Sequence, residues 1–290
     1  MKKMMMALAV VSILPSCTKN DEPETMPTIE ISLPSDSIAT HATVTFAFGG
    51  DVEIRPMTRA SLTELNLTDV YVFDYVGGQL QGTTHQTASD ASFGSPSLTV
   101  DYGDHTFYFV ASRGDTPTID GTTISWSKPS DTFWATATVT VSPSSASSQA
   151  VSLSRVATRL RITVNDEVPA GAAKFVITPA QWYYGIDYVS GAAAAQDSKS
   201  IVIDVPSSYV GTEGSLSASV FSVSGAKEWT SDVVITATDA DGMAIGAATI
   251  KAVPLKSNRA TEYDGCLFSA GEGDDVSLAT QWDAPVTGKW

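Results

Sequence analysis

From Ile29 onward the apolar residues of this chain recur at every second position, and no stretch repeats them at helical spacing for three turns. Side chains alternate across a strand, whereas a helix gathers one face at a period of 3.6. TIEISL places Ile29, Ile31 and Leu33 on one side, and HATVTFAF does the same with Val44, Phe46 and Phe48. DVYVFDY carries Val70 and Val72 on one face and Tyr71, Phe73 and Tyr75 on the other. HTFYFVAS, TATVTV, RLRITV, KFVI, SIVIDV, SLSASVF, DVVITAT and AATIKAV continue the pattern. Gly49-Gly50, Gly77-Gly78, Asp120-Gly121 and Asp241-Gly242 read as turns between them. AGAAKF and SGAAAAQ have room for a short helical turn at most. Short strands with frequent turns predict an all-β fold, a sandwich or a barrel.

Hydrophobic residues make up 43% of the chain, enough for a real core. Charged residues are only 17%, below the usual quarter, and serine and threonine take their place. The Ser-rich stretch SPSSASSQA, residues 142–150, reads as a seam between two domains, 37–150 and 151–290, of ordinary sandwich size. No close internal repeat is visible. The 17 basic and 32 acidic residues leave a formal net charge of −15. Such a chain is repelled by phosphate backbones and gains nothing from an anionic membrane surface, so nucleic acid is not an expected partner.

The opening residues, MKKMMMALAVVSILPSC, have the shape of a secretory signal over positions 1–16. Lys2 and Lys3 precede an apolar run, Met4 to Leu14, that is too short to span a bilayer. Leu14-Pro15-Ser16-Cys17 resembles a bacterial lipobox, in which the cysteine is diacylated and becomes the mature N-terminus. An ordinary signal peptide with a chance cysteine is the alternative. Residues 17–36 then form an acidic tether, TKNDEPETMP within it, similar to the surface-export signal of some Bacteroidetes lipoproteins. Lipidation of Cys17 leaves Cys266 without a partner in the chain, and GCLFS suggests a small buried hydrophobe there.

Catalytic patterns are missing from the sequence. His41, His85 and His105 form no HxH or HExxH spacing, and no GxSxG, P-loop or GxGxxG precedes a helix. Neither metal nor cofactor is expected, and the chain is not read as an enzyme. Asp239-Ala240-Asp241-Gly242 looks like the start of a calcium loop, but Ile250 stands where the bidentate acid belongs, which favours a hairpin turn. GEGDDV, 271–276, reads as a solvated turn. Trp182, Tyr183 and Tyr184 in QWYYGIDY offer a sugar-stacking platform, although neighbours on a strand point to opposite faces and a structural role is the simpler reading.

Several segments follow one another in a telling order: MTRASLTELNLTDVYVFD, TFYFVAS, VSLSRVATRLRITVNDEVP, VPLKSNRATEYDGCLF and a terminal strand with Trp282-Asp283. That order resembles the Bacteroidetes fimbrillin family, the pilin and pilus-anchor lipoproteins of surface fimbriae. The resemblance implies two tandem transthyretin-like β-sandwiches, an outer-membrane lipoprotein at the cell surface, and a place in a fimbrium. It implies other fimbrial subunits as partners, with host or bacterial glycans or proteins as adhesive targets. It also implies assembly by strand exchange: an arginine-specific protease cuts after the first strand, and a C-terminal strand of the next subunit fills the vacated groove.

On that reading HATVTFAF is the removable strand, with Val44, Phe46 and Phe48 facing the core. Arg55 and Arg59 follow in EIRPMTRA. Proline after Arg55 obstructs a trypsin-like cut, so Arg59–Ala60 is the better bond; a plain surface loop is the alternative. The last fifteen residues, VSLATQWDAPVTGKW, set Val276, Leu278, Trp282, Val286 and Trp290 on one side of a period-two stretch. They are expected either to donate a strand to a neighbour or to complete the chain's own second sandwich. Anchors of this family keep their lipid and stay uncut, and tip subunits lack a free donor strand. The rival function is a surface glycan-binding lipoprotein of two β-sandwiches.

Overall fold

The computed structural model describes residues 41–50, 62, 65–143 and 148–269, all within one compact unit, residues 39–290. The first run of strands is β1 (His41–Gly50), β2 (Asp69–Val76), β3 (Gln79–Thr87), β4 (Ser97–Asp101), β5 (Gly103–Ser112), β6 (Thr118–Asp120), β7 (Thr123–Ser125), β8 (Thr132–Val141) and β9 (Ser148–Arg155). The second is β10 (Ala157–Val164), β11 (Lys174–Pro179), β12 (Trp182–Asp187), β13 (Ala192–Asp197), β14 (Ile201–Asp204), β15 (Leu216–Val223), β16 (Glu228–Thr238), β17 (Ala244–Lys256) and β18 (Ala260–Gly265).

A seven-stranded sheet runs in the order β3-β2-β5-β8-β9-β1-β4. Between β8 and β9 the ladder shrinks to Phe133↔Arg155 and Trp134↔Ser154, and the sheet turns back on itself there. Two layers result, β3-β2-β5-β8 and β4-β1-β9. Val70, Val72, Phe107, Phe109 and Phe133 of the first meet Val44, Phe46, Leu98, Val151 and Leu153 of the second in one apolar core. This is the alternation read from the sequence, now with both sides assigned.

The second sandwich stacks β14-β11-β16-β17 on β15-β10-β18, around Leu160, Ile162, Phe175, Ile177, Val233, Ile235 and Ile250. Its strand order repeats that of the first: β3-β2-β5-β8 corresponds to β14-β11-β16-β17, and β4-β1-β9 to β15-β10-β18. In each, the earliest strand is the middle of its layer, antiparallel to one neighbour and parallel to the last strand. The fold is therefore an all-β tandem of sandwiches, and the repeat lies in topology without a matching repeat in sequence.

Three features depart from the sequence reading. Ala192–Asp197, in the segment with room for a helical turn, is the strand β13, held to β12 by Ile186↔Ala193 and its neighbours; ladder hydrogen bonds override alanine's helical preference. Among the described residues the helical structure is one 3₁₀ turn, Ser207–Tyr209. Gly49 and Gly50 extend β1 and pair with Ser152 and Leu153 instead of turning.

The hairpin β6-β7, although it lies before the Ser-rich seam, pairs with β12 of the second sandwich through Ser125↔Gly185, Ile124↔Ile186 and Thr123↔Asp187. Gly185 permits this, because a Cβ there would overlap the Ile124 carbonyl oxygen and lie 2.8 Å from Ser125 Cα. A third apolar cluster fills the junction: Tyr71, Phe73 and Val110 on the outer face of β2 and β5, with Ile124, Trp126, Val156, Ile186, Tyr188 and Val223.

Candidate functional site

Strand β1 is clasped from both sides. His41 to Thr45 pair antiparallel with Asp101 to Ser97 of β4, and Thr45 to Gly50 pair parallel with Ser148 to Leu153 of β9. Val44 and Phe46 are fully buried, and Phe48 is half-buried. The Phe46 ring meets Phe107 edge to face at 4.8 Å and Phe109 at 5.0 Å, and Phe48 meets Phe109 at 5.3 Å. These are favourable aromatic geometries. On the outer face hydroxyls pair across the ladder, Thr45 Oγ1 with Ser97 Oγ at 2.8 Å. All three side chains assigned to the removable strand thus stand toward the core of the first sandwich. Withdrawal of β1 would leave a cleft between β4 and β9, floored by the rings of β5.

The mouth of that cleft carries an uncommon polar pair. His105 and Asp74 are both buried, with Nδ1 2.7 Å from the Asp74 carboxylate. Its Nε2 lies 3.0 Å from the Asp101 carbonyl oxygen and must donate there, since a backbone carbonyl only accepts. Asp101 in turn pairs through its own carboxylate with His41 at 2.7 Å, at the start of β1. Histidines dismissed for lacking a metal spacing therefore fasten strand ends together. Their role was invisible in sequence because the partners stand 31 and 60 positions away.

The root of the C-terminal segment is held as firmly. Asp166, just after β10, accepts from the backbone N–H groups of Leu267, Phe268 and Ser269 at 3.1, 2.6 and 2.7 Å, and from Ser269 Oγ at 3.1 Å. Burial pushes its pKa up, but these four hydrogen bonds outweigh burial and hold the carboxyl below its ordinary value. Leu267 sinks into the core of the second sandwich. Nothing in the sequence marked Asp166, since ordinary turns also favour aspartate.

Other candidates resolve differently. Trp182, Tyr183 and Tyr184 are all buried, and the Trp182 indole N–H donates to the Phe221 carbonyl at 2.8 Å. They are core and junction residues, and a sugar platform on these rings is ruled out by their burial. Asp239 accepts from the N–H groups of Asp241 and Met243 at 3.0 and 2.8 Å, with Gly242 at φ +84°, so the segment is the β16–β17 hairpin turn. Among the described residues no group of three or more His, Cys, Asp or Glu converges as a metal would need. Cys266 corrects the expectation of burial: it is exposed and free. Its place follows the alternation of β18, with Glu262 and Asp264 outward like Cys266 and with Tyr263 and Leu267 turned to the core. Cys17, Arg55, Arg59, and the donor positions Val276, Leu278, Trp282, Val286 and Trp290 lie outside the described residues, as does GEGDDV.

The model of the family described as fimbrillin-A associated anchor proteins Mfa1 and Mfa2 matches residues 59–251. Among solved structures, an adhesin candidate from Bacteroides ovatus matches 85% of this chain and 96% of its own at 11% identity, with a TM-score of 0.51. Another, from Bacteroides ovatus ATCC 8483, matches 74% of this chain and 84% of its own at 12% identity and a TM-score of 0.50. The fimbrial anchor protein Mfa2 from Porphyromonas gingivalis matches 81% and 94% at 10% identity and a TM-score of 0.49. At such identities the likeness to the two Bacteroides ovatus structures speaks for the fold alone. No curated protein matches the chain.

Proposed function

The chain belongs to the family of fimbrillin-A associated anchor proteins, and from that premise we propose that it is a structural subunit of surface fimbriae, held in the outer membrane by a lipid on Cys17 and joined to its neighbours by β-strand exchange. The observation that carries this reading is the position of β1, the middle strand of its layer, which inserts Val44 and Phe46 into the core. A strand so placed leaves a pocketed groove when it departs, and an incoming strand regains ladder hydrogen bonds and side-chain pockets together. The donor is the period-two segment 276–290, whose Val276, Leu278, Trp282, Val286 and Trp290 present side chains of the right kind. Fully burying such side chains contributes roughly 1.5–3 kcal/mol each before ordering costs, enough for a long-lived joint. Arg59, and less readily Arg55, is the bond through which β1 would be released. The fimbrial role is non-enzymatic.

The test treats the chain from residue 18 onward with a trace of trypsin and follows cut site and size together. Cleavage at Arg59, then concentration-dependent ladders that vanish when 283–290 are deleted, is the expected result. A product that stays monomeric at every concentration sinks strand exchange. Lipid attachment is tested by Cys17→Ser, which should move the protein out of the membrane fraction.

A further inference from the structure

The wall against which β1 lies is covered on its far side by the second sandwich. β2 and β5 turn Val72, Phe107 and Phe109 toward β1, and their opposite faces are buried as well. Tyr188, one residue beyond β12, is central to that far side. Its ring stacks on Phe73 of β2 with centroids 3.7 Å apart and planes 4° from parallel. Its hydroxyl lies 3.1 Å from that of Tyr75, and its carbonyl accepts from the Trp134 indole of β8 at 2.8 Å. One border of the cleft, β9, is fixed too. β9 runs through Val156 into β10, with Val156 N–H donating to Thr132 at 2.9 Å and its carbonyl accepting from Ser224 at 3.0 Å.

The floor and the β9 border are therefore tied to the second sandwich by contacts that do not pass through β1. An apolar groove emptied of its middle strand would otherwise close on itself, because its lining gains by leaving water. We infer that Tyr188 is a positioning residue for strand acceptance: from the second sandwich it holds the β2–β5 wall in place while β1 is out, so the first sandwich keeps an open groove. This deepens the strand-exchange reading and rests on it.

The test uses the chain carrying Val44→Asp and Phe46→Asp, which expel β1 from the core, with and without Tyr188→Ala or Tyr188→Phe. Two quantities are read: amide exchange in β5, and affinity for a synthetic peptide of residues 41–50, HATVTFAFGG. With Tyr188 intact, β5 stays protected and the peptide binds. Tyr188→Ala should speed β5 exchange and weaken the peptide by at least about tenfold, a change of ~1.4 kcal/mol, with β11 and β16 still protected. Tyr188→Phe, which keeps the stacked ring, should restore both. Unchanged β5 exchange and peptide affinity in Tyr188→Ala overturns the inference, as does an equal loss of protection in β11 and β16. Protection of β5 that depends on Tyr188 without any peptide binding leaves the buttress standing and removes strand exchange instead.

Discussion

Phe46 of β1 and Phe107 of β5 meet edge to face, ring centroids 4.8 Å apart at 61°, in the middle of the first sandwich. Phe46 is fully buried, so its truncation opens a cavity that the surrounding rings cannot refill. Phe46→Ala is expected to cost about 3–5 kcal/mol in chemical denaturation. Phe48→Ala, at a half-buried position, should cost less. Equal costs would mean that β1 is not seated as described.

The hairpin β6-β7 depends on the missing side chain of Gly185. Gly185→Ala drives a methyl group into the Ile124 carbonyl and Ser125. A loss of about 1–3 kcal/mol is expected for such overpacking. It should appear as faster exchange of the Trp126 amide, which donates to the Tyr184 carbonyl. Unchanged protection there would contradict the close approach.

Asp166 should make the root of the C-terminal segment sensitive to acid. Its carboxyl is held below the ordinary value in the folded chain. Its contribution is thus complete above the unfolded carboxylate value of about 3.9, and is lost as pH falls through the lower folded value. The amides of Leu267, Phe268 and Ser269 should be protected relative to their intrinsic exchange near neutrality and should lose that protection in strong acid. Asp166→Ala should leave them unprotected at every pH. Slow exchange in the variant would show that another group holds the segment.

Cys266 is exposed, and it is the remaining thiol once Cys17 is excluded. A chain starting at residue 18 should take up one maleimide under native conditions at a rate close to that of a free thiol. Labelling that requires denaturant would restore the buried reading.

Much of the fold was legible because alternation is a local property. Val44, Phe46 and Phe48 share a face in any strand, and the core of the first sandwich uses that face. The double-sided pattern of DVYVFDY was equally plain. Its second face, Tyr71 and Phe73, turned out to meet the other sandwich. QWYYGIDY was ambiguous in sequence, because aromatic rings suit a ligand platform and a core alike, and only burial separates the two. Cys266 differs, because its residue type suggested burial while its parity, shared with Glu262 and Asp264, sets it outward.

By itself the sequence determined the all-β class, the strand faces, most turns and the family, since each depends on neighbours two to a few residues apart or on the order of segments. Tertiary structure decided the rest. It set two sandwiches of one strand order without a shared sequence. It carried β6-β7 across to β12 and placed Tyr188 behind the β1 groove. It also closed Asp166 around amides 101 to 103 residues later. Those relationships join residues far apart in the chain, and pairing between distant strands is settled by packing and register, which leave no periodic trace in sequence.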